Sequence, residues 1–178
     1  FAKEDKASAI LELAHKTIAI EALNRPDQGI SANVGTIKGG IGPNTIAEHA
    51  SARIDFRFLK PGEDVRLKTE LEGICNTTEV KGVRPKLSIV SQRPPMPETQ
   101  GNMTLYSRIA KKAKELDIKV MPELRQGVSD ANLISEVGIP VIDGLGPIGA
   151  KDHSEDEYII TQSLFDRTVL FAHVLTDL

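Results

Sequence analysis

The sequence predicts a mixed α/β (α+β) chain in two parts, and three observations carry that reading. The stretch Gln92 to Glu98 places three prolines in four positions, which forbids helix and breaks any strand ladder. Before it, the patterned segments run helix, strand, strand, helix, strand. After it, helices alternate with short apolar strands, as in layered α/β structure. The boundary is set at this hinge, giving parts 1–92 and 93–178.

In the first part, Ala7, Ile10, Leu11, Ala14 and Ile18 recur at helical spacing and predict the buried face of an opening helix. Asn24-Arg25-Pro26-Asp27 stops it. Ile30 to Lys38 reads as a strand, ended by Gly39-Gly40-Ile41-Gly42-Pro43. The next strand has the cleanest pattern in the chain. Ala50, Ala52, Ile54, Phe56 and Phe58 alternate with Ser51, Arg53, Asp55 and Arg57, one apolar face against one polar face. Pro61-Gly62 turns the chain into a helix over Glu63 to Cys75, and Leu87 to Ser91 reads as a third strand. One strand placed in front would complete a ferredoxin-like split βαββαβ unit.

The second part opens with a helix from about Asn102 to Leu116, followed by a short strand, Ile118 to Met121. Ser129 to Val137 reads as a helix with Ser129 as N-cap, and Ile139 to Ile142 as a short buried strand. A glycine-rich loop through Gly144, Gly146 and Gly149 leads to a last helix from about Thr161. Two strands make the end of a larger sheet rather than a whole domain.

Composition narrows the function. The 178 residues carry 22 Lys and Arg against 25 Asp and Glu, a net charge of −3, so no positive field holds a polyanion and no nucleic acid is expected. The single cysteine, Cys75, rules out a disulfide framework and a multi-thiolate zinc site. No apolar run approaches the ~20 residues of a membrane helix. The first residues are neither a signal nor a transit peptide, and without an initiator Met the chain is expected to begin inside a larger protein. The compartment stays open, with the cytoplasm the favoured expectation.

Three polar clusters could carry chemistry, and each has a plainer alternative. Lys151-Asp152-His153-Ser154-Glu155-Asp156-Glu157 follows the glycine-rich loop, and an imidazole amid carboxylates suits a cation such as zinc. Taken alone, a solvated acidic loop explains it better. Arg125-Gln126-Gly127-Val128-Ser129-Asp130-Ala131-Asn132 could bind an anion through an Arg clamp and backbone N–H groups, or be a routine helix cap. Asn44, in the loop after Gly39-Gly40, and Arg57 could hold a carboxylate, or belong to a turn and a surface Arg53, Asp55, Arg57 ladder.

Taken together, the clusters resemble the di-zinc aminoacylase and carboxypeptidase family, with its glutamate carboxypeptidase, acetylornithine deacetylase and succinyl-diaminopimelate desuccinylase branches. Gly40 to Glu48 followed by Ala52 to Arg57 is similar to that family's lid, or dimerisation, domain. Gly127-Val128-Ser129-Asp130-Ala131 resembles its Gly-Gly-Thr/Ser-Asp-Ala motif, with Gln126 standing where the first Gly would be. Gly144-Leu145-Gly146 through His153-Ser154-Glu155-Asp156-Glu157-Tyr158-Ile159 resembles its C-terminal metal motif.

The resemblance implies that the first part is a ferredoxin-like lid and the second the C-terminal piece of the catalytic domain. It implies His153 as a zinc ligand, Arg125 as clamp on the substrate carboxylate, and Gly127 as a backbone contact to substrate. Asn44 and Arg57 would reach in from the lid, and Asp130 would be structural. The implied reaction is zinc-dependent hydrolysis of an amide in a small peptide or N-acyl amino acid, by a homodimer joined through the first part. The family's other ligands lie in an N-terminal region with a His-x-Asp and a Glu-Glu pair, and neither occurs here. One His cannot hold two zinc ions, so this chain by itself is expected to be an inactive fragment. The rivals are a non-catalytic dimerisation or binding module, in which His153 is incidental, and a phosphate binder at Gly144 to Gly149, which the acidic surroundings oppose.

Overall fold

The structure, a computed structural model, describes residues 6–176, and these form a mixed α+β chain with five α-helices and two small antiparallel sheets. The outermost residues of the two predicted parts lie outside the described residues. The chain divides into units Phe1–Pro95 and Met96–Leu178.

In the first unit, Ser8 caps helix α1 (Ala9–Glu21), its Oγ accepting from the Leu11 N–H at 3.3 Å. A 3-10 turn (Pro26–Gln28) leads into β1 (Ile30–Gly39), which pairs antiparallel with β2 (Ala50–Phe58) from Ile30↔Phe58 to Gly39↔Ala50. A bulge between Val34 and Thr36 puts one extra residue, Gly35, into β1. Helix α2 (Glu63–Asn76) follows the Pro61-Gly62 turn, where Gly62 takes φ +85. Ile20, Leu23, Ala32 and Leu71 form the core, with Ile54 and Phe56 of β2 packed against it. The outer edge of β1 is not left bare. Asn24 Oδ1 accepts from the Ala32 N–H at 3.2 Å and Glu21 Oε1 from the Val34 N–H at 2.6 Å, so the end of α1 satisfies donors that no strand reaches.

Two expectations are corrected in this unit. Helix α1 turns Glu12, Lys16 and Ile20 inward, while Ile10 and Ile18 of the predicted core face are 44% and 71% exposed. The reason lies more than sixty residues away. The Glu12 carboxylate accepts from the backbone N–H groups of Glu79 (3.0 Å) and Val80 (2.7 Å) and pairs with Lys16 at 2.8 Å, while Lys16 donates to the Thr77 carbonyl. A buried charge pair can occupy a core-facing position when one carboxylate oxygen accepts two backbone N–H groups and the other faces the ammonium. The second correction is the third strand. Residues 87–91 pair in no ladder, although Leu87 packs on the core. In the split βαββαβ order the neighbour of this segment is a strand before α1, and among the described residues none precedes α1.

The second unit contains α3 (Gln100–Glu115), α4 (Ala131–Glu136), a two-residue hairpin pair β3 (Gly149–Ala150) and β4 (Tyr158–Ile159), and α5 (Thr161–Thr176). Ile109 and Ala113 of α3 pack on Leu170 and Val174 of α5. The strands expected at 118–121 and 139–142 are also corrected: both stretches lack a ladder partner, yet Ile118, Val120 and Ile142 pack on that helix pair. Buried Asn102 does part of the work of a ladder, donating to the Pro97 carbonyl (3.1 Å) and accepting from the Val141 N–H (3.0 Å).

Candidate functional site

Within the second unit, the two glycine-bearing motifs are tied together. Ser129 Oγ lies 2.6 Å from Asp143 Oδ2 and accepts from the Ala131 N–H at 3.1 Å. The N-cap of α4 is Asp130, which makes no side-chain cap bond, so the expected cap at Ser129 is corrected by one residue, and the helix is only Ala131–Glu136, shorter than the predicted 129–137. Asp143 Oδ1 accepts from the Gly144 N–H at 2.7 Å, fixing the start of the glycine-rich loop. At the far end of that loop, Ser163 Oγ accepts from the Ile148 N–H at 2.8 Å, and the Ile160 N–H donates to the Ile148 carbonyl at 2.8 Å. The loop from Gly127 is therefore joined by hydrogen bonds to the base of the β3–β4 hairpin.

His153 sits in the loop carried by that hairpin, exposed and in the left-handed region at φ 65, with Lys151 likewise at φ 63. Each such non-glycine residue costs on the order of 1 kcal/mol or more, and such strain concentrates at functional sites. The loop holds it with local bonds. The His153 N–H donates to Glu157 (3.3 Å), Ser154 Oγ to the Lys151 carbonyl (2.8 Å), and Lys151 pairs with Asp156 (3.2 Å). Sequence reasoning missed Asp143 and Ser163 as the residues that place this loop. The signal available was Asp143-Gly144, a turn-forming pair.

Arg125 is exposed and ion-paired with Glu123 at 3.3 Å, so a carboxylate ligand would have to displace that partner. Gly127 has open space on its Cβ side. A Gly127→Ala change is therefore expected to leave thermal stability within about 0.5 kcal/mol.

The two first-unit residues do not meet. Asn44 is in the exposed loop beyond the Gly39↔Ala50 end of the hairpin, and Arg57 is next to the other end. Seven steps of β2 separate Ala50 from Arg57, about 23 Å at strand rise. They cannot hold one carboxylate as a pair within this unit. Arg57 instead bonds Asp55 at 2.7 Å, the surface ladder of the plainer alternative. Cys75 is half-buried, and burial pushes its thiol pKa up against the opposing charge of Lys16, away from the depressed values of activated thiols. Among the described residues, no three His, Cys, Asp or Glu side chains converge on a common point, and no helix is long and apolar enough to cross a membrane.

Comparison with known proteins adds the frame for these positions. The family described as "Peptidase dimerisation domain" matches residues 2–83. Human aminoacylase-1 is 23% identical over 130 residues, covering 71% of this chain and 31% of that protein; rat aminoacylase-1A is 26% identical with 70% and 31% covered. Among solved structures, a tripeptidase from Staphylococcus aureus superposes with a TM-score of 0.76 at 23% identity, covering 94% of this chain and 44% of that one. A Bacillus subtilis protein described as a dinuclear metal binding peptidase from the M20 family gives 0.67 at 16% identity, with 94% and 45% covered. The chain thus spans about a third of the aminoacylases and under half of the solved peptidases that it matches.

Proposed function

We propose, from the premise that residues 2–83 are an M20 peptidase dimerisation domain, that this chain is the lid and the C-terminal catalytic segment of a metal-dependent amide hydrolase. In this reading, 1–92 is a ferredoxin-like lid that pairs two copies, and 93–178 completes the α/β catalytic domain. The substrate is a small peptide or N-acyl amino acid whose free carboxylate binds Arg125. The aminoacylase and peptidase relatives support the class of reaction.

The observation that carries the reading is the 2.6 Å link from Ser129 to Asp143, which joins the Gly127 loop to the chain leading into His153. It supports the reading because it connects, through hydrogen-bonded loops, the backbone proposed to contact substrate and the imidazole proposed to contact metal. The chain's own roles are binding and orientation. Arg125 offers a planar fork to a carboxylate once Glu123 is displaced. Gly127 offers backbone that a ligand can approach without meeting a side chain. His153 offers one nitrogen donor of the kind zinc takes. It does not by itself fit a pair of zinc ions, whose chemistry when bound is to activate water against the amide, and the remaining ligands belong to other parts of the complete enzyme.

A calorimetric zinc titration of the 178-residue chain tests the assignment of a single ligand. The expected result is weak binding, with Kd above about 10 µM and no defined stoichiometry, against the tight binding of closed four-ligand sites. Tight stoichiometric binding lost in His153→Ala would show a whole site within the chain and overturn it. In the complete enzyme, Arg125→Ala should raise KM for carboxylate-bearing substrates by at least tenfold, the scale of one charge-assisted bidentate pair.

A further inference from the structure

The hairpin that carries His153 lacks one backbone bond at its base, and a side chain stands in for it. Continuing the Gly149↔Ile159 register sets Ile148 opposite Ile160. A hydrogen-bonded antiparallel pair exchanges two N–H···O bonds. One is made, from the Ile160 N–H to the Ile148 carbonyl at 2.8 Å. The other would run from the Ile148 N–H to the Ile160 carbonyl. That carbonyl is turned instead to the first turn of α5, where it accepts from the Ser163 N–H at 2.9 Å. The Ser163 hydroxyl fills the gap. Its Oγ accepts from the Ile148 N–H at 2.8 Å and donates to the Ile160 carbonyl at 2.6 Å. Hairpin and helix are thus spliced through one hydroxyl.

We infer that Ser163 is a positioning residue: its hydroxyl sets the pitch of the hairpin on α5 and thereby fixes where His153 lies. The inference rests on the metal role proposed above for His153. Lys151 and His153 both keep positive φ, a conformation that persists only where the surroundings over-determine it. The bonds inside their loop, from His153 to Glu157 and from Lys151 to Asp156, are exposed, where water competes for the same partners. Ser163 is 5% exposed, so its bonds meet no such competition. It also starts from firm ground, since Leu170 and Val174 of the same helix are buried against Ile109 and Ala113. Without an oxygen at 163, the Ile148 N–H either loses its acceptor or closes directly on Ile160. Closing swings the hairpin about the bond that remains, and the swing is largest at the tip, where His153 sits.

The test compares the parent with Ser163→Ala and Ser163→Thr, which keeps the hydroxyl. In the 178-residue chain, hydrogen exchange over residues 149–159 should quicken at least about tenfold in Ser163→Ala and return towards the parent in Ser163→Thr. The amides of Ile109, Ala113, Leu170 and Val174 should keep parent rates. Parent rates throughout the hairpin, or quickening that spreads through α3 and α5, would overturn the inference, the second by making Ser163 a packing residue. Zinc competition against a chelator in the full-length protein gives the second readout. Ser163→Ala should raise the zinc Kd at least about tenfold, with Ser163→Thr near the parent. At saturating zinc, KM for a carboxylate-bearing substrate should stay within about twofold, because Arg125 and Gly127 are untouched. His153→Ala separates the two readings. A Kd raised in His153→Ala but not in Ser163→Ala overturns the positioning role and leaves the metal role standing. A Kd unchanged in His153→Ala overturns the metal role, and the positioning role falls with it.

Discussion

Glu12→Ala is expected to destabilise the first unit by about 3–5 kcal/mol, the cost of removing one partner from a buried ion pair. The change orphans Lys16, 6% exposed, and leaves the N–H groups of Glu79 and Val80 without their acceptor. Chemical denaturation of the variant checks this. Lys16→Ala should be nearly as costly, while Glu12→Leu with Lys16→Met should cost less than either single change, because it removes both charges at similar volume. A loss below about 1 kcal/mol in both single variants would show the pair to be solvated.

The same carboxyl makes stability depend on pH. Burial alone would raise its pKa, but the hydrogen bond from Lys16, the Val80 N–H, the Lys16 charge and the Glu79 N–H together hold it below the ordinary glutamate value. A carboxyl with a lower pKa folded than unfolded gives stability that is present above the unfolded value and lost as pH falls through the folded one. The denaturation midpoint should therefore hold at neutral pH and drop between about pH 5 and pH 3. Glu12→Gln should flatten that drop.

Gly149→Ala is the second large effect. A Cβ there would sit 2.3 Å from the Tyr158 carbonyl oxygen, a backbone atom on the paired strand that cannot swing aside. The hairpin must part, at a cost of about 2 kcal/mol or more for overpacking. Hydrogen exchange over residues 151–157 should quicken, and, on the metal role proposed for His153, metal affinity of the full-length protein should fall at least tenfold. Gly146→Ala is the control, since nothing lies within 4 Å of a Cβ there. Equal exchange rates in Gly149→Ala and the parent would show that the hairpin does not position His153.

Where a segment's partner is local, the sequence was readable. The alternation from Ala50 to Phe58 is β2 residue for residue, and Ser129, read as the start of a helix, bonds the Ala131 N–H at the first turn of α4. Where the partner is remote, it was not. The face of α1 was misassigned because nothing near Glu12 in sequence signals that Glu79 and Val80 will meet it. Residues 87–91, 118–121 and 139–142 have strand composition, but composition supplies no neighbour to pair with. Asn44 and Arg57 look close in a motif and lie a hairpin's length apart, because the twelve residues between them include most of β2 and separate rather than join them.

The extra residue at Gly35 has a consequence for how this hairpin can vary. Before it, Ile30, Ala32 and Val34 share a face with Phe58, Phe56 and Ile54; beyond it, Ile37 and Gly39 take over opposite Ala52 and Ala50. The strand switches from even to odd numbering at that point, like a text read in a new frame. Deleting Gly35 would take out the bulge: Val34↔Ile54 and Thr36↔Arg53 would become successive pairs of a regular ladder, and Ile37 would stay opposite Ala52. The face would survive and the local bend would be lost. A deletion at Ala32, between regular pairs, would instead turn half of the strand over.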